Sequence, residues 1–179
     1  MNSITGLLTN FYESAFENCI SLTAAPALPE TTLANACYKR MFYNCSSLVT
    51  AYDFPEMKLA SSCFESMFEN CSALLNGPTA LSATAFANDC CFNMFQNCIS
   101  LSSCMTEITA STPNELKFFN RCFANMFKNC YSLLKAPAIA LDKVNSSAAG
   151  YCSSMFENCY NLITSPAQLP LSAISNYGY

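Results

Sequence analysis

Apolar and small residues recur along the chain at positions i, i+4, i+5, i+8 and i+9. One copy of this pattern comprises Leu33, Cys37, Tyr38, Met41 and Phe42. A stripe with this spacing is typical of a short amphipathic helix that buries one face. We therefore expect one short helix for each copy of the pattern. The cysteines and methionines of this predicted helix core are Cys37, Cys63, Cys90, Cys122, Met41, Met67, Met94, Met126 and Met155.

A phrase of the form Phe-x-Asn-Cys-x-x-Leu closes each copy of the pattern and occurs six times. Successive phrase cysteines are 26, 26, 27, 32 and 29 residues apart. The asparagines of the phrase are Asn18, Asn44, Asn70, Asn97, Asn129 and Asn158. Its cysteines are Cys19, Cys45, Cys71, Cys98, Cys130 and Cys159. Self-similarity at this period is the signature of stacked repeats, each too small to bury its apolar face alone.

A short extended piece is expected after each phrase, because proline stands seven residues past the cysteine in four of the copies and favours strand edges and turns. The sequence thus predicts a single domain, residues 1–179, built as an α/β repeat solenoid in which short helices alternate with very short parallel strands. The predicted units are 1–28, 29–54, 55–80, 81–110, 111–140 and 141–170, followed by the start of a seventh at 171–179.

The phrase, together with the proline-bearing piece that follows it, resembles the BspA-type (Treponema-type) leucine-rich repeats. The resemblance covers essentially the whole chain and implies a leucine-rich-repeat fold. It also implies adhesion and protein–protein contact at a cell surface, without a set of catalytic residues. Two copies lack the proline, and an insertion around residues 107–117 separates the fourth copy from the fifth.

The phrase asparagines and cysteines are interpreted as structural. Asn at a buried corner would form a ladder that satisfies backbone groups, each costing about 1–3 kcal/mol if left unpaired. Free Cys behaves as a small, readily buried apolar residue. Asn44 and Asn70 also fit a glycosylation pattern, but this alternative requires them to be exposed. Cys104 lies outside the phrases and is expected to be the most exposed thiol.

Two other roles remain open for the thirteen cysteines. The spacing of stacked segments allows disulfides, although parallel side chains on stacked corners suit such a bridge poorly. A redox or metal-buffering thiol protein is the other possibility. Metal binding is the weaker interpretation, since the chain has neither a Cys-x-x-Cys pair nor a histidine. No metal site and no cofactor is therefore predicted.

Composition and charge narrow the classes of function. The net charge is −4 and the basic residues are scattered, which argues against nucleic acid as a partner. No apolar run approaches the roughly 18 residues that a membrane helix needs. The first residues lack the basic and apolar regions of a signal peptide. The absence of histidine removes the commonest general base, and we expect no catalytic residues and no enzyme activity.

The predicted function is therefore a non-enzymatic binding or adhesion module that presents a surface to protein or glycan, at the cell surface or secreted as the resemblance implies. The alternative is a structural subunit of a filament or virion, an extracellular assembly in which uncapped ends stack on one another or continue into a longer array. Candidate contact residues are the variable tyrosines and the acidic residues of the insertion: Tyr43, Tyr52, Glu107, Glu115, Tyr131 and Tyr160.

Overall fold

The computed structural model describes residues 7–28, 30–110, 120–140 and 150–164. These residues contain no α-helix, so the prediction of an α/β solenoid with short helices is wrong. The predicted leucine-rich-repeat and repeat-solenoid architecture is wrong for the same reason. Six segments made of consecutive turns stand where the helices were expected, and a small parallel sheet accompanies them. The turn segments are 9–18, 35–44, 61–70, 88–97, 120–129 and 150–158.

Backbone hydrogen bonds in a turn segment alternate between two kinds of partner. The N–H of Met41 donates to the carbonyl of Tyr38, three residues earlier. The N–H of the next residue, Phe42, donates instead to the carbonyl of Met67 in the third segment. The same alternation runs through the first five segments, which satisfies their backbone groups without helical i→i−4 bonds. Each segment therefore directs amide donors toward the segment that follows it and carbonyl acceptors toward the one before.

A positive φ recurs at every fourth residue of the turn segments. In the third segment Ser62, Ser66 and Asn70 have φ values of 55°, 54° and 64°. A right-handed helix cannot contain such residues, and L-residues reach this region at a cost of about 1–2 kcal/mol. Asn, Asp, Ser or Gly occupies these positions with three exceptions among the described residues. The exceptions are Ala36, Arg40 and Arg121.

The four-residue period is also the reason why the sequence pattern suggested helices. Residues 37 and 38, then 41 and 42, then 45 point into the core and are at most 2% exposed. The intervening residues 39, 40, 43 and 44 are only half-buried. Over nine residues this spacing is close to the 3.6-residue period of an α-helix, although the backbone that produces it is a chain of turns.

The strands form one parallel sheet beside the turn segments. They are β1 (Met57–Lys58), β2 (Ala80–Ala85), β3 (Glu107–Ala110) and β4 (Ala138–Ala140), paired in the order in which they occur along the chain. Leu81, Ile108 and Ile139 stand opposite one another in register and are buried. A second line of parallel pairing consists of isolated bridges that join Ala24, Thr50, Asn76 and Ser103 in succession. The apolar core lies between the turn segments and these pairings.

Candidate functional site

The phenylalanines of the six phrases form one stacked column through the core. Successive rings have centroids between 5.3 and 5.6 Å apart and lie within 9° of parallel. Offset stacking of aromatic rings contributes roughly 0.5–1.5 kcal/mol per pair beyond the burial of area. The column therefore holds neighbouring segments at a fixed register. Its members are Phe16, Phe42, Phe68, Phe95, Phe127 and Phe156.

The phrase cysteines donate their thiols to carbonyls of this column. Cys98 Sγ lies 3.0 Å from the carbonyl oxygen of Phe68 in the preceding segment, and Cys71 Sγ lies 3.1 Å from that of Phe42. A thiol is a weak donor and a small apolar group at once. The cysteine side chain thus fills space in the core. Its thiol also donates a second hydrogen bond to a carbonyl that already accepts a backbone N–H. The same bond is made by Cys45, Cys130 and Cys159.

Burial holds most of the thiols inside the core in the protonated form. Burial raises the pKa of Cys37 and Cys45 to about 11, and that of Cys152 to about 12. Because the thiolate is the nucleophile and the metal ligand, these groups are poorly suited to either task. The same holds for Cys122, whose pKa burial raises well above its usual value. Its sulfur lies 3.1 Å from that of Cys90, the matching cysteine of the preceding turn segment.

Cys104 is not the most exposed thiol, contrary to the expectation from sequence. It is half-buried, and burial raises its pKa to about 12. Its sulfur packs over Gly77, where an added Cβ would lie only 2.5 Å away. The exposed thiol is Cys19, in the first turn segment. All thirteen cysteines are free thiols in the structure.

The phrase asparagines bond to one another along the outer side of the stack. Asn97 donates its amide to Oδ1 of Asn70 over 2.7 Å, and Asn129 and Asn158 each donate over 2.7 Å to the asparagine before. Asn44 donates to Asn18 over 3.0 Å. All of these residues have φ between 60° and 64°. The amides therefore link segments through side chains, while their backbones supply the left-handed turn residue that each corner needs.

Charged residues pair between neighbouring segments on the same outer side. Arg40 Nη2 lies 2.6 Å from Oε1 of Glu17 in the first segment, and this hydrogen bond lowers the pKa of Glu17. Lys128 Nζ lies 3.0 Å from Oε2 of Glu157. These side chains are partly exposed, so the pairs contribute little to stability. The charges of these residues therefore cancel in pairs and do not form a patch of one sign.

Three of the predicted contact residues are not gathered at one place. Tyr43 lies under the guanidinium of Arg40, 3.9 Å from its ring centroid. Tyr52 is exposed beside the shallow depression that Phe54 lines, and Glu107 is exposed at the start of β3. Glu115 lies outside the described residues. Residues 107–110 of the insertion form a strand that pairs with β2.

Tyr131 and Tyr160 do come together, with ring centroids 5.6 Å apart. Each follows a phrase cysteine, and three residues further on stand Leu134 and Ile163, whose backbones are hydrogen-bonded to each other. Tyr160 and Ile163 are 75% and 73% exposed, and the other two side chains are 42% and 44% exposed. We call these four residues the outer corner cluster. Sequence reasoning missed Leu134 and Ile163, which follow the inward-pointing leucine of the phrase and are turned outward by the corner.

Other kinds of site are not supported by the part of the chain that the structure describes. Within 7–28, 30–110, 120–140 and 150–164, no group of three or more metal-ligating side chains converges. The depression beside Tyr52 has no enclosed space for a water molecule. None of the described segments is a helix that could cross a bilayer. The outer corner cluster, by contrast, contains four of the exposed large apolar side chains of the described residues.

Comparisons with protein-family models, with curated proteins and with solved structures give no match to this chain.

Proposed function

We propose that the chain is a non-enzymatic binding module that recognises a protein or glycan partner through the outer corner cluster. The observation that carries the proposal is the pair of stacked, solvent-facing tyrosines flanked by Leu134 and Ile163. Exposed apolar groups that are contiguous rather than scattered mark interaction sites. Tyrosine is enriched in protein interfaces, because it combines apolar area with a polar tip.

The cluster is held on a rigid support. The residues that precede Leu134 and Tyr131 in the chain, Leu133 and Cys130, are buried, and the thiol of Cys130 donates to the carbonyl of Phe95. Asn158 accepts a hydrogen bond of 3.0 Å from the hydroxyl of Tyr160, and it is itself a member of the asparagine ladder. A surface that is ordered before binding loses little conformational entropy on association. This arrangement favours recognition over a purely structural origin of the exposed rings.

The resemblance to BspA-type repeats supports the same class of function and suggests a site of action at the cell surface or outside the cell. It supplies no ligand. The proposed partner chemistry, a protein or glycan surface with apolar area, follows from the exposed side chains alone. The lack of histidine and the raised pKa values of the buried thiols are consistent with a role that needs no catalysis.

The experiment uses the full chain as bait against two defined probes, a phage-displayed library of random peptides and an array of immobilised oligosaccharides. Binders are then measured against the double variant Tyr131→Ser/Tyr160→Ser. Because aromatic anchors dominate interface energetics, this variant is expected to lose at least about tenfold in affinity. Thermal unfolding establishes that the variant is folded.

The matched control is Tyr52→Ser, which removes another exposed tyrosine from a different part of the surface. Its affinity is expected to equal that of the unmodified chain. The proposal is overturned if neither probe yields a binder. It is also overturned if Tyr52→Ser weakens binding as much as the double variant does.

A further inference from the structure

A column of buried thiols runs through the second to fifth turn segments. Its members occupy one position, eight residues before the phrase cysteine of their segment, and all are fully buried: Cys37, Cys63, Cys90 and Cys122. The sulfurs of this column do not all have the same kind of neighbour. Sγ of Cys63 lies 3.8 Å from the backbone carbonyl oxygen of Cys90, whereas Sγ of Cys90 lies 3.1 Å from Sγ of Cys122. The fourth and fifth segments therefore meet at a direct contact between two sulfur atoms.

The phrase cysteines are stacked as well, but their sulfurs have backbone partners. Cys71 and Cys98 each donate to a phenylalanine carbonyl of the preceding segment, over 3.1 Å and 3.0 Å. A disulfide between two phrase cysteines would have to break these hydrogen bonds. A bond between Cys90 and Cys122 would replace only the weak hydrogen bond that joins their own thiols. Among stacked cysteines, this pair is therefore the one that the fold prepares for a covalent link.

The stacked backbone brings the two residues within reach of a disulfide. The N–H of Cys91 donates to the carbonyl of Cys122 over 3.0 Å, so the two segments are paired at this point. Backbones paired in this way lie roughly 4.7–4.9 Å apart, which is inside the range of about 4.4–6.8 Å between the Cα atoms of a disulfide. The sulfurs, 3.1 Å apart, would have to approach by only about 1 Å to form the bond. Rotation of the two side chains can supply a movement of this size.

The position of the pair along the chain is where a cross-link has the largest effect. Cys122 follows Cys90 by 32 residues, whereas the two earlier steps of the column span 26 and 27 residues. A longer connection costs more entropy to close, so a cross-link across it restrains the unfolded chain more. Aromatic stacking is also interrupted here. The rings of Tyr38 and Phe64 stack on each other, but Cys91 occupies the matching position of the fourth segment.

We propose that Cys90 and Cys122 are a modification site, at which a small disulfide oxidant such as oxidised glutathione cross-links the fourth turn segment to the fifth. The thiolate of Cys90 attacks one sulfur of the oxidant, which forms a mixed disulfide and releases a glutathione thiolate. The thiolate of Cys122 then attacks the sulfur of Cys90 and releases the second glutathione thiolate. The protons of the two cysteine thiols pass to the released thiolates. Two thiols are thus oxidised to one disulfide, and the disulfide of the oxidant is reduced to two thiols.

The reaction takes place while the chain folds. Once the fold is complete, neither thiol has exposed area, and a molecule as large as oxidised glutathione does not reach them. In the unfolded chain all cysteines are accessible, and thiol–disulfide exchange continues among them. The disulfide that survives this exchange is the one whose sulfurs the fold already holds together. The cross-link lies inside the core and is independent of the outer corner cluster.

The test refolds the denatured and reduced full chain in a mixture of reduced and oxidised glutathione, and in parallel in reduced glutathione alone. Free thiols are then alkylated, and disulfides are mapped by mass spectrometry after digestion with chymotrypsin. Cleavage after phenylalanine places Cys90 in residues 87–92 and Cys122 in residues 120–123. We expect one disulfide per chain, joining these two peptides. The oxidised chain should have a melting temperature about 5–15 °C higher than the reduced chain, because the disulfide restrains a long loop of the unfolded chain.

Alanine variants identify the cysteines that form the bond. Cys90→Ala and Cys122→Ala should each lose the cross-link and the increase in melting temperature. The matched control is Cys91→Ala, which removes an adjacent and equally buried thiol and should keep both. If one of the first two variants does not fold in reducing buffer, the peptide maps of the unmodified chain and of Cys91→Ala decide the question. The proposal is overturned if all thiols of the refolded chain stay free, if the disulfide joins other cysteines, or if Cys91→Ala abolishes it.

Discussion

Asn97 donates its side-chain amide to Oδ1 of Asn70 over 2.7 Å, and the two residues have nearly identical φ values of 63° and 64°. One residue type thus serves two purposes at each corner. Its amide links neighbouring segments, and its backbone adopts the left-handed conformation that most L-residues avoid. The two contributions can be separated by substitution.

Replacement of Asn97 by alanine should destabilise the chain more than replacement by glycine. Both variants lose the amide bonds to Asn70 and Asn129. Alanine also keeps a Cβ in the left-handed region, at an additional cost of about 1–2 kcal/mol. Chemical denaturation should therefore give a lower free energy of unfolding for Asn97→Ala than for Asn97→Gly, by about 1 kcal/mol. Equal values for the two variants would show that φ at this corner is not positive.

A Cβ at Gly77 should clash with the sulfur of Cys104, which would lie 2.5 Å from it. We expect Gly77→Ala to cost about 1–3 kcal/mol, as other overpacked sites do. The second substitution, Cys104→Ala, removes the sulfur and should restore much of that loss. The measurement is a double-mutant cycle by chemical denaturation, with Cys104→Ala alone as the reference. Additive effects of the two substitutions would argue against this contact.

Native thiol labelling should resolve one fast cysteine. Cys19 is exposed, whereas burial raises the pKa of Cys45 and Cys159 to about 11 and shields both groups. Since only the thiolate reacts, the remaining thiols should react slowly and at a rate limited by opening of the fold. Dilute protein at pH 8 and a chromogenic disulfide reagent provide the measurement. The variant Cys19→Ser should lose the fast phase, and several fast thiols would contradict a packed core.

Stability should fall at alkaline pH. Burial raises the pKa of thiols such as Cys37 and Cys45 to about 11 from an ordinary value of 9.0. The unfolded chain therefore loses its thiol protons first, and the folded chain binds more protons between about pH 9 and pH 11. The stabilisation is complete below pH 9 and is lost as the pH rises through the folded-state values. Each such thiol lowers the free energy of unfolding by about 1.4 kcal/mol per pH unit in that window.

Denaturation midpoints in reducing buffer between pH 7 and pH 11 check this slope. The variant Cys45→Ala lacks one thiol with a raised pKa. Its free energy of unfolding should therefore fall less steeply with pH above pH 9, by the equivalent of about one proton. A slope that does not change in this variant would mean that Cys45 is accessible in the folded state.

The sequence showed where the segments recur, but it did not predict the conformation of their backbone. Offsets of i, i+4, i+5, i+8 and i+9 fit a period of 3.6 as well as a period of 4, because the two differ by only about 80° after eight residues. The signal that distinguishes these two periods lies in the polar residues. Residues that tolerate positive φ stand at every fourth position, as in Ser62, Ser66 and Asn70, and the pattern of apolar residues alone does not contain that information.

The outer corner cluster could likewise be predicted only in part from the sequence. Tyr131 and Tyr160 stand out in the sequence as aromatic residues at variable positions. Leu134 and Ile163 do not, since an apolar residue beside the buried leucine of the phrase could point to either side. Its direction depends on the corner, where Leu133 turns inward and Leu134 outward.

The alternating hydrogen bonds are tested most directly by scalar couplings across hydrogen bonds in the isotope-labelled chain. The N–H of Phe68 donates to the carbonyl of Met94 over 2.9 Å. We predict a correlation between the amide nitrogen of Phe68 and the carbonyl carbon of Met94. A correlation to the carbonyl carbon of Phe64, four residues earlier as in an α-helix, would contradict the stack of turn segments.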